Sequence, residues 1–170
     1  TIYGTPTMAM SSDGRYALIA NHSWRPENAQ KLKLPAGPQT NADLTPEMLK
    51  HPKMTAQRVN MLSLIDLSTP EYGVVNRVLF DDRPMHVLAH PDGQRFITGG
   101  DKHFYVHRIE NGKLVQLSQN PQPHDLACFW IHPKGHRLIA TQGDPLSGAP
   151  ATVQWYSIQG NRIEHLSEVK

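Results

Sequence analysis

The sequence predicts an all-β protein built from repeated antiparallel sheets. Three observations carry that expectation. An apolar run, a tight turn and a second apolar run recur at Pro6 to Ile19, at Pro84 to Ile97 and, more loosely, at Cys128 to Ile139. Each copy pivots on a turn glycine (Gly14, Gly93 or Gly135) and is followed by a further strand-like pair. The 170 residues include 12 glycines and 14 prolines, which suits many short strands joined by turns. A hairpin repeated at this scale predicts four-stranded β-propeller blades.

The second and third turn glycines lie 42 residues apart, a usual length for one blade, whereas the first two lie 79 apart. The stretch 23–57 accounts for most of the excess. It carries Pro26, Pro35, Pro38, Pro46 and Pro52 without strand alternation, so it reads as a long loop insertion. Within it Thr45, as N-cap, and Pro46 in the first turn suit one short helix at 45–49. The first unit, 5–80, continues with strands Val59–Leu67 and Gly73–Phe80 across Ser68-Thr69-Pro70. The second, 83–118, continues with His103–Ile109 and Leu114–Ser118 across Asn111-Gly112, a strong hairpin signal. The third, 123–170, continues with Thr152–Ile158 and Ile163–Val169 across Gly160-Asn161. The whole of 1–170 is thus expected to be a partial propeller of three blades.

Propellers close with four to eight blades, so three leave two blade faces in water. The expected partners are therefore the remaining blades, from the same longer chain or a second copy. A chain that starts at Thr1 without Met fits a processed or truncated product that has lost an export signal. That favours a periplasmic or secreted location over the cytoplasm. A net charge of +2, from 17 basic and 15 acidic residues, excludes charge-driven nucleic-acid or membrane-surface binding. No run is long enough for a transmembrane helix. The single cysteine, Cys128, excludes an internal disulfide.

The phrase Pro84-Met85-His86-Val87-Leu88-Ala89-His90-Pro91-Asp92-Gly93 resembles that of the lactonase-like seven-bladed propellers, the group that includes the YVTN-repeat proteins. Thr152 to Gly160 and Leu64 to Pro70 extend the similarity over nearly the whole chain except the insertion. Two departures stand out: Lys134 replaces the turn Asp, and Ser12 replaces the turn Pro. The resemblance implies the fold but leaves activity open, since related propellers include sugar-lactone hydrolases, amine dehydrogenase large subunits, the haem d1 domain of nitrite reductases and non-catalytic binding proteins.

The resemblance also implies that first strands line the central channel. One rim is then formed by the loops leading into them and by those joining second to third strands. Thr7, His86 and Cys128 each stand seven residues before a turn glycine, at the start of a first strand. Arg83, His124 and Asp125 lie just ahead, and the other loops bring His22, Asp101, His103 and Asp144 to the same rim. These titratable groups form the expected ligand site, with His86, His124 and Arg83 the candidates for any chemistry. A channel-lining His86 suits a general base, a ligand or a hydrogen-bond donor, against a structural histidine linked to water.

His90 and His132, three before their glycines, and the turn residues Asp13 and Asp92 read as turn caps on the opposite rim. Cys128 reads as a buried, inert thiol, since His124 is four residues away, about 13 Å along an extended strand. No metal site is expected despite ten histidines, because no compact ligand pair occurs. No nucleophile elbow, P-loop or dinucleotide fingerprint occurs either. Trp130, Trp155 and Tyr156 sit in strand patterns and read as blade-to-blade packing residues.

The resulting expectation is a binding or scaffold propeller with a small-molecule or protein site at the channel mouth, its cofactor unknown. The alternatives are a sugar-lactone hydrolase, a redox subunit docking a haem or quinone partner, and a metal-binding propeller. Whether the protein is an enzyme is left open.

Overall fold

The computed structural model describes residues 7–24, 58–70, 72–79, 86–100, 102–122, 126–142 and 152–169. The expected helix at 45–49 and most of the insertion lie outside them. The described residues form twelve strands and no helix. The first sheet holds β1 (Thr7–Met10), β2 (Tyr16–Trp24), β3 (Arg58–Asp66) and β4 (Val74–Leu79). The second holds β5 (His86–Ala89), β6 (Arg95–Gly99), β7 (His103–Glu110) and β8 (Lys113–Pro121). The third holds β9 (Leu126–Ile131), β10 (Arg137–Gln142), β11 (Thr152–Gln159) and β12 (Arg162–Val169). Each is an antiparallel meander with its strands in chain order. β5 contacts both β1 and β9, and β8 contacts both β4 and β12. The sheets therefore radiate as blades, with first strands innermost: a partial β-propeller.

The three glycine turns are built alike. Gly14, Gly93 and Gly135 hold φ of 70°, 73° and 74°, a region open to glycine but strained for other residues. Their amides donate to the carbonyls of Ser11, His90 and His132, at 2.9, 3.0 and 2.7 Å. Carboxylates fasten two of the turns: Asp13 Oδ1 accepts from the Arg15 amide at 3.0 Å, and Asp92 Oδ1 from the Gln94 amide at 2.9 Å. In the other, His132 Nδ1 accepts from the Lys134 amide at 3.1 Å. The turn-cap expectation for these residues thus matches the geometry. Asn111 and Gly112 both have positive φ, 51° and 73°, as a two-residue hairpin of primed type requires.

Two strand limits differ from expectation. Ser23 and Trp24 do not open the insertion; they continue β2, opposite Val59 and Arg58. β8 runs three residues past Ser118 to Pro121, because His103, Phe104 and Tyr105 pair with Pro121, Asn120 and Gln119. In both places a ladder continues through residues whose composition resembles a loop.

Strand alternation decides which neighbour each side chain meets. In the second sheet Val87, Phe96 and Tyr105 face the first sheet and join Ala9, Leu18 and Leu64 in one core. Their alternates Leu88, Ile97, Phe104 and Val106 face the third sheet and join Phe129, Leu138 and Tyr156 in another. The Phe104 ring stands edge-on to Phe129 and to Tyr156, with centroids 5.4 and 5.1 Å apart. Tyr156 thus packs between blades as expected, and burial pushes its hydroxyl pKa up to about 12. Trp130 does not. Phe129 takes the side facing the second sheet, so its neighbour Trp130 points away and is 54% exposed.

Polar clasps close the same junctions. At the outer edge, Asn76 Oδ1 accepts from the Leu114 amide at 2.9 Å, and Asn120 Oδ1 from the Ile163 amide at 3.1 Å. At the turn end, Ser12 Oγ donates to the Gly93 carbonyl at 3.1 Å, and His90 Nε2 to the Gly135 carbonyl at 2.8 Å. Nδ1 of His90 accepts from the Asp92 amide at 3.2 Å, which assigns the proton to Nε2. Partial burial raises the Asp92 pKa, but bonds from the Gln94 amide and from the Arg95 side chain and amide outweigh it and hold the carboxyl at about 2.

Candidate functional site at the channel mouth

Because each sheet is a meander, the starts of its first and third strands lie at one end, opposite the glycine turns. Thr7 and His86 open β1 and β5, and His103 and Thr152 open β7 and β11. His86 is half-buried and pairs with Gly99 across the β5–β6 ladder, while Gly99 pairs in turn with Phe104, the neighbour of His103. The topology therefore brings His86 and His103 to the same end of the second sheet.

The environment of each lead-in residue is specific. Thr7 Oγ1 accepts from the Val87 amide at 3.0 Å, tying the first innermost strand to the second. The His86 ring stands edge-on to Phe129, with centroids 6.2 Å apart, so it touches the third sheet. Thr7 and His86 thus both reach the next blade as well as lying at the mouth. Cys128 is half-buried rather than buried, and its sulfur lies 3.0 Å from Thr141 Oγ1. The expectation of an enclosed thiol fails because Cys128 shares the open side of β9 with Trp130.

The β6–β7 connection is fixed by backbone bonds. The Gly100 amide donates to the His103 carbonyl at 2.9 Å, the Gln122 amide to the Lys102 carbonyl at 3.0 Å, and Gln122 Nε2 to the Gly100 carbonyl at 2.5 Å. These hold half-buried His103 edge-on to Tyr105, at 5.8 Å between centroids, beside exposed Lys102. The end of the second sheet therefore presents two imidazoles and an ammonium group, which suit hydrogen bonding to a polar or anionic ligand. His22 lies on β2 opposite Asn60. Arg83, Asp101, His124, Asp125 and Asp144 lie outside the described residues. Among the described residues no three His, Cys, Asp or Glu side chains gather as a metal site, and no helix is long and apolar enough to cross a membrane.

Sequence reasoning missed a recess at the opposite end. A cavity of about 300 Å³ opens between the first two sheets, lined by Asp13, Tyr16, Gln94, Phe96, Arg108 and Ile109. The Ser11 hydroxyl, and next the Arg15 amide, hold the Asp13 carboxyl below the usual carboxylate range, while Arg108 is paired with Glu110. Its walls come from three chain segments, 11–16, 93–96 and 108–109, and no local motif announces it.

No protein-family model matches this chain, and no curated protein matches it in sequence. Solved structures match its fold. Kuenenia stuttgartiensis hydrazine synthase superposes over 95% of this chain and 37% of its own, with a TM-score of 0.58 at 14% identity. Saccharomyces cerevisiae Sqt1 superposes over 96% and 34%, with a TM-score of 0.59 at 10% identity. A Bacteroides uniformis protein provisionally described as a 6-phosphogluconolactonase superposes over 96% and 41%, with a TM-score of 0.58 at 13% identity. The chain thus spans about a third to two fifths of these structures' own lengths. At such identities the likeness defines the architecture, a β-propeller, and no activity.

Proposed function

We propose that this chain belongs to a propeller that binds a small polar or anionic ligand at its channel mouth, as a binding or scaffold protein. One contrast carries the reading. At the turn end, Asp13, His90, Asp92 and His132 are all engaged in turn architecture. At the mouth, the equivalent lead-in positions hold three different residues, Thr7, His86 and Cys128, beside His103 and Lys102. Architecture repeats the same groups; a ligand site needs different ones from each blade. Arg83, His22, Asp101, His124, Asp125 and Asp144 complete the proposed ligand-facing set.

Thermal-shift and calorimetric screening against sugar lactones and their hydrolysed acids tests it. Saturable binding should weaken by about tenfold, some 1.4 kcal/mol, in both His86→Ala and His103→Ala. Binding that both variants leave unchanged counts against the mouth as the site.

A lactone hydrolase is the second reading, favoured by the likeness to the Bacteroides uniformis structure and to a Bacteroides fragilis protein similarly described, with a TM-score of 0.54 at 11% identity. His86 or His124 would activate water and Arg83 would hold an anionic substrate. Lactone turnover abolished by His86→Ala would place this reading first.

A further inference from the structure

The repeat allows the three sheets to be compared position by position. The residue five before the turn glycine, the one four after it and that residue's partner on the third strand form a row across each sheet. In the first sheet the row is Ala9, Leu18 and Leu64; in the second it is Leu88, Ile97 and Val106. Both rows are packed against the sheet that follows. The third sheet repeats the row as Trp130, Ile139 and Trp155, in register across β9, β10 and β11. There Trp130 is 54% exposed, and Ile139 and Trp155 are only half-buried.

The other side of the blades gives the same result. Six residues before the glycine, Val87 and Phe129 are 1% and 2% exposed, each under the preceding sheet. Their equivalent in the first sheet, Met8, is 60% exposed.

The turn-end clasp is directional and also lacks its last partner. Ser12 and His90 each donate forward to the turn-glycine carbonyl of the next blade. His132 is the next donor in the series. Its Nδ1 accepts from the Lys134 amide, as His90 Nδ1 does from Asp92, so its proton also belongs on Nε2. The His132 ring is exposed and stands edge-on to His136, with centroids 5.1 Å apart, and among the described residues it donates to no other blade. At the other end of the series, a Cβ on Gly93 or Gly135 would meet Ser12 or His90, whereas at Gly14 nothing lies within 4 Å.

We propose that the Trp130–Ile139–Trp155 face, with His132 as its clasp, seats a further blade of the same repeat, carried by the same polypeptide. That blade supplies a turn-glycine carbonyl for His132 Nε2 and an innermost strand to cover Trp130. The assignment to one polypeptide follows the two junctions seen here, where each clasp runs to the next blade in chain order. It is supported by the solved structures, in which the matched region is part of a longer chain. The inference rests on the blade architecture and is independent of the channel-mouth ligand.

Hydroxyl-radical footprinting read by mass spectrometry tests it. The polypeptide isolated from its natural source is compared with the 170-residue chain, and the intact mass of each is measured. The natural polypeptide is expected to be longer and to show Trp130 and Met8 oxidised several-fold more slowly. His132→Ala should lower the melting temperature of the longer polypeptide by clearly more than that of the 170-residue chain, which loses only the bond from the Lys134 amide; equal losses in both count against the clasp. Equal oxidation of Trp130 in both overturns the proposal. So does a natural polypeptide of 170 residues, or protection of Trp130 in the 170-residue chain that grows with concentration, which assigns the face to a second copy.

Discussion

Gly135 holds φ at +74° beneath the His90 ring, and a Cβ there would lie 2.7 Å from His90 Cε1. Gly14 has the same backbone conformation with open space around it. Gly14→Ala should therefore cost about 1 kcal/mol, the backbone penalty alone. Gly135→Ala adds a clash and loss of the His90 clasp, and should cost about 3 kcal/mol. Urea unfolding of both variants checks the ordering, and equal losses would refute the clasp. His107 supplies a second prediction at this scale. It is fully buried, stacked on Tyr105, and burial pushes its pKa down from 6.5 to about 3. Below the ordinary histidine pKa the unfolded chain takes up a proton that the folded chain refuses. Stability is thus fully present above pH 6.5 and falls by up to about 1.4 kcal/mol per pH unit toward pH 3. His107→Phe should flatten that slope in urea titrations at about pH 7, 5.5 and 4. The glycine turns were legible because their residues repeat in the sequence. His107 was not, because its burial depends on the sheet packed over it.

Among the elements, an asparagine on each outer strand anchors the next blade, with Ser118 joining Asn120 at the Asn161 carbonyl. Asn120 accepts from the Ile163 amide and donates through Nδ2 to the Asn161 carbonyl at 3.2 Å. Ile163 is buried, so Asn120→Ala would leave its amide without an acceptor and should cost about 2 kcal/mol. A change in urea midpoint under half that size would show that water replaces the asparagine. Most strands could be read from alternation and turn residues, down to the Asn111-Gly112 hairpin. Gln119 to Pro121 could not: Gln, Asn and Pro resemble a loop, and only pairing with His103 to Tyr105 makes them a strand. The facing of β9 was equally hidden, since Phe129 and Trp130 are both large aromatics and either could have met the second sheet.

At the scale of the whole molecule, two junctions are complete and two faces are open. The complete ones share a core row, an outer asparagine and a turn clasp; the open ones carry unmatched halves of the row and of the clasp. The sequence by itself determined the all-β class, the four-stranded unit, its three copies and the glycine turns. These depend on local propensity and on a period of two, which neighbouring residues carry. Only the tertiary structure decided that Thr7 and His86 touch the next blade, that Cys128 is half-open, that Trp130 faces outward and that a cavity lies between the first two sheets. Each depends on which segments the radial packing brings side by side, over separations such as the 80 residues between Thr7 and Val87. Alternation shows that a strand has two faces; the packed neighbour determines what each face meets.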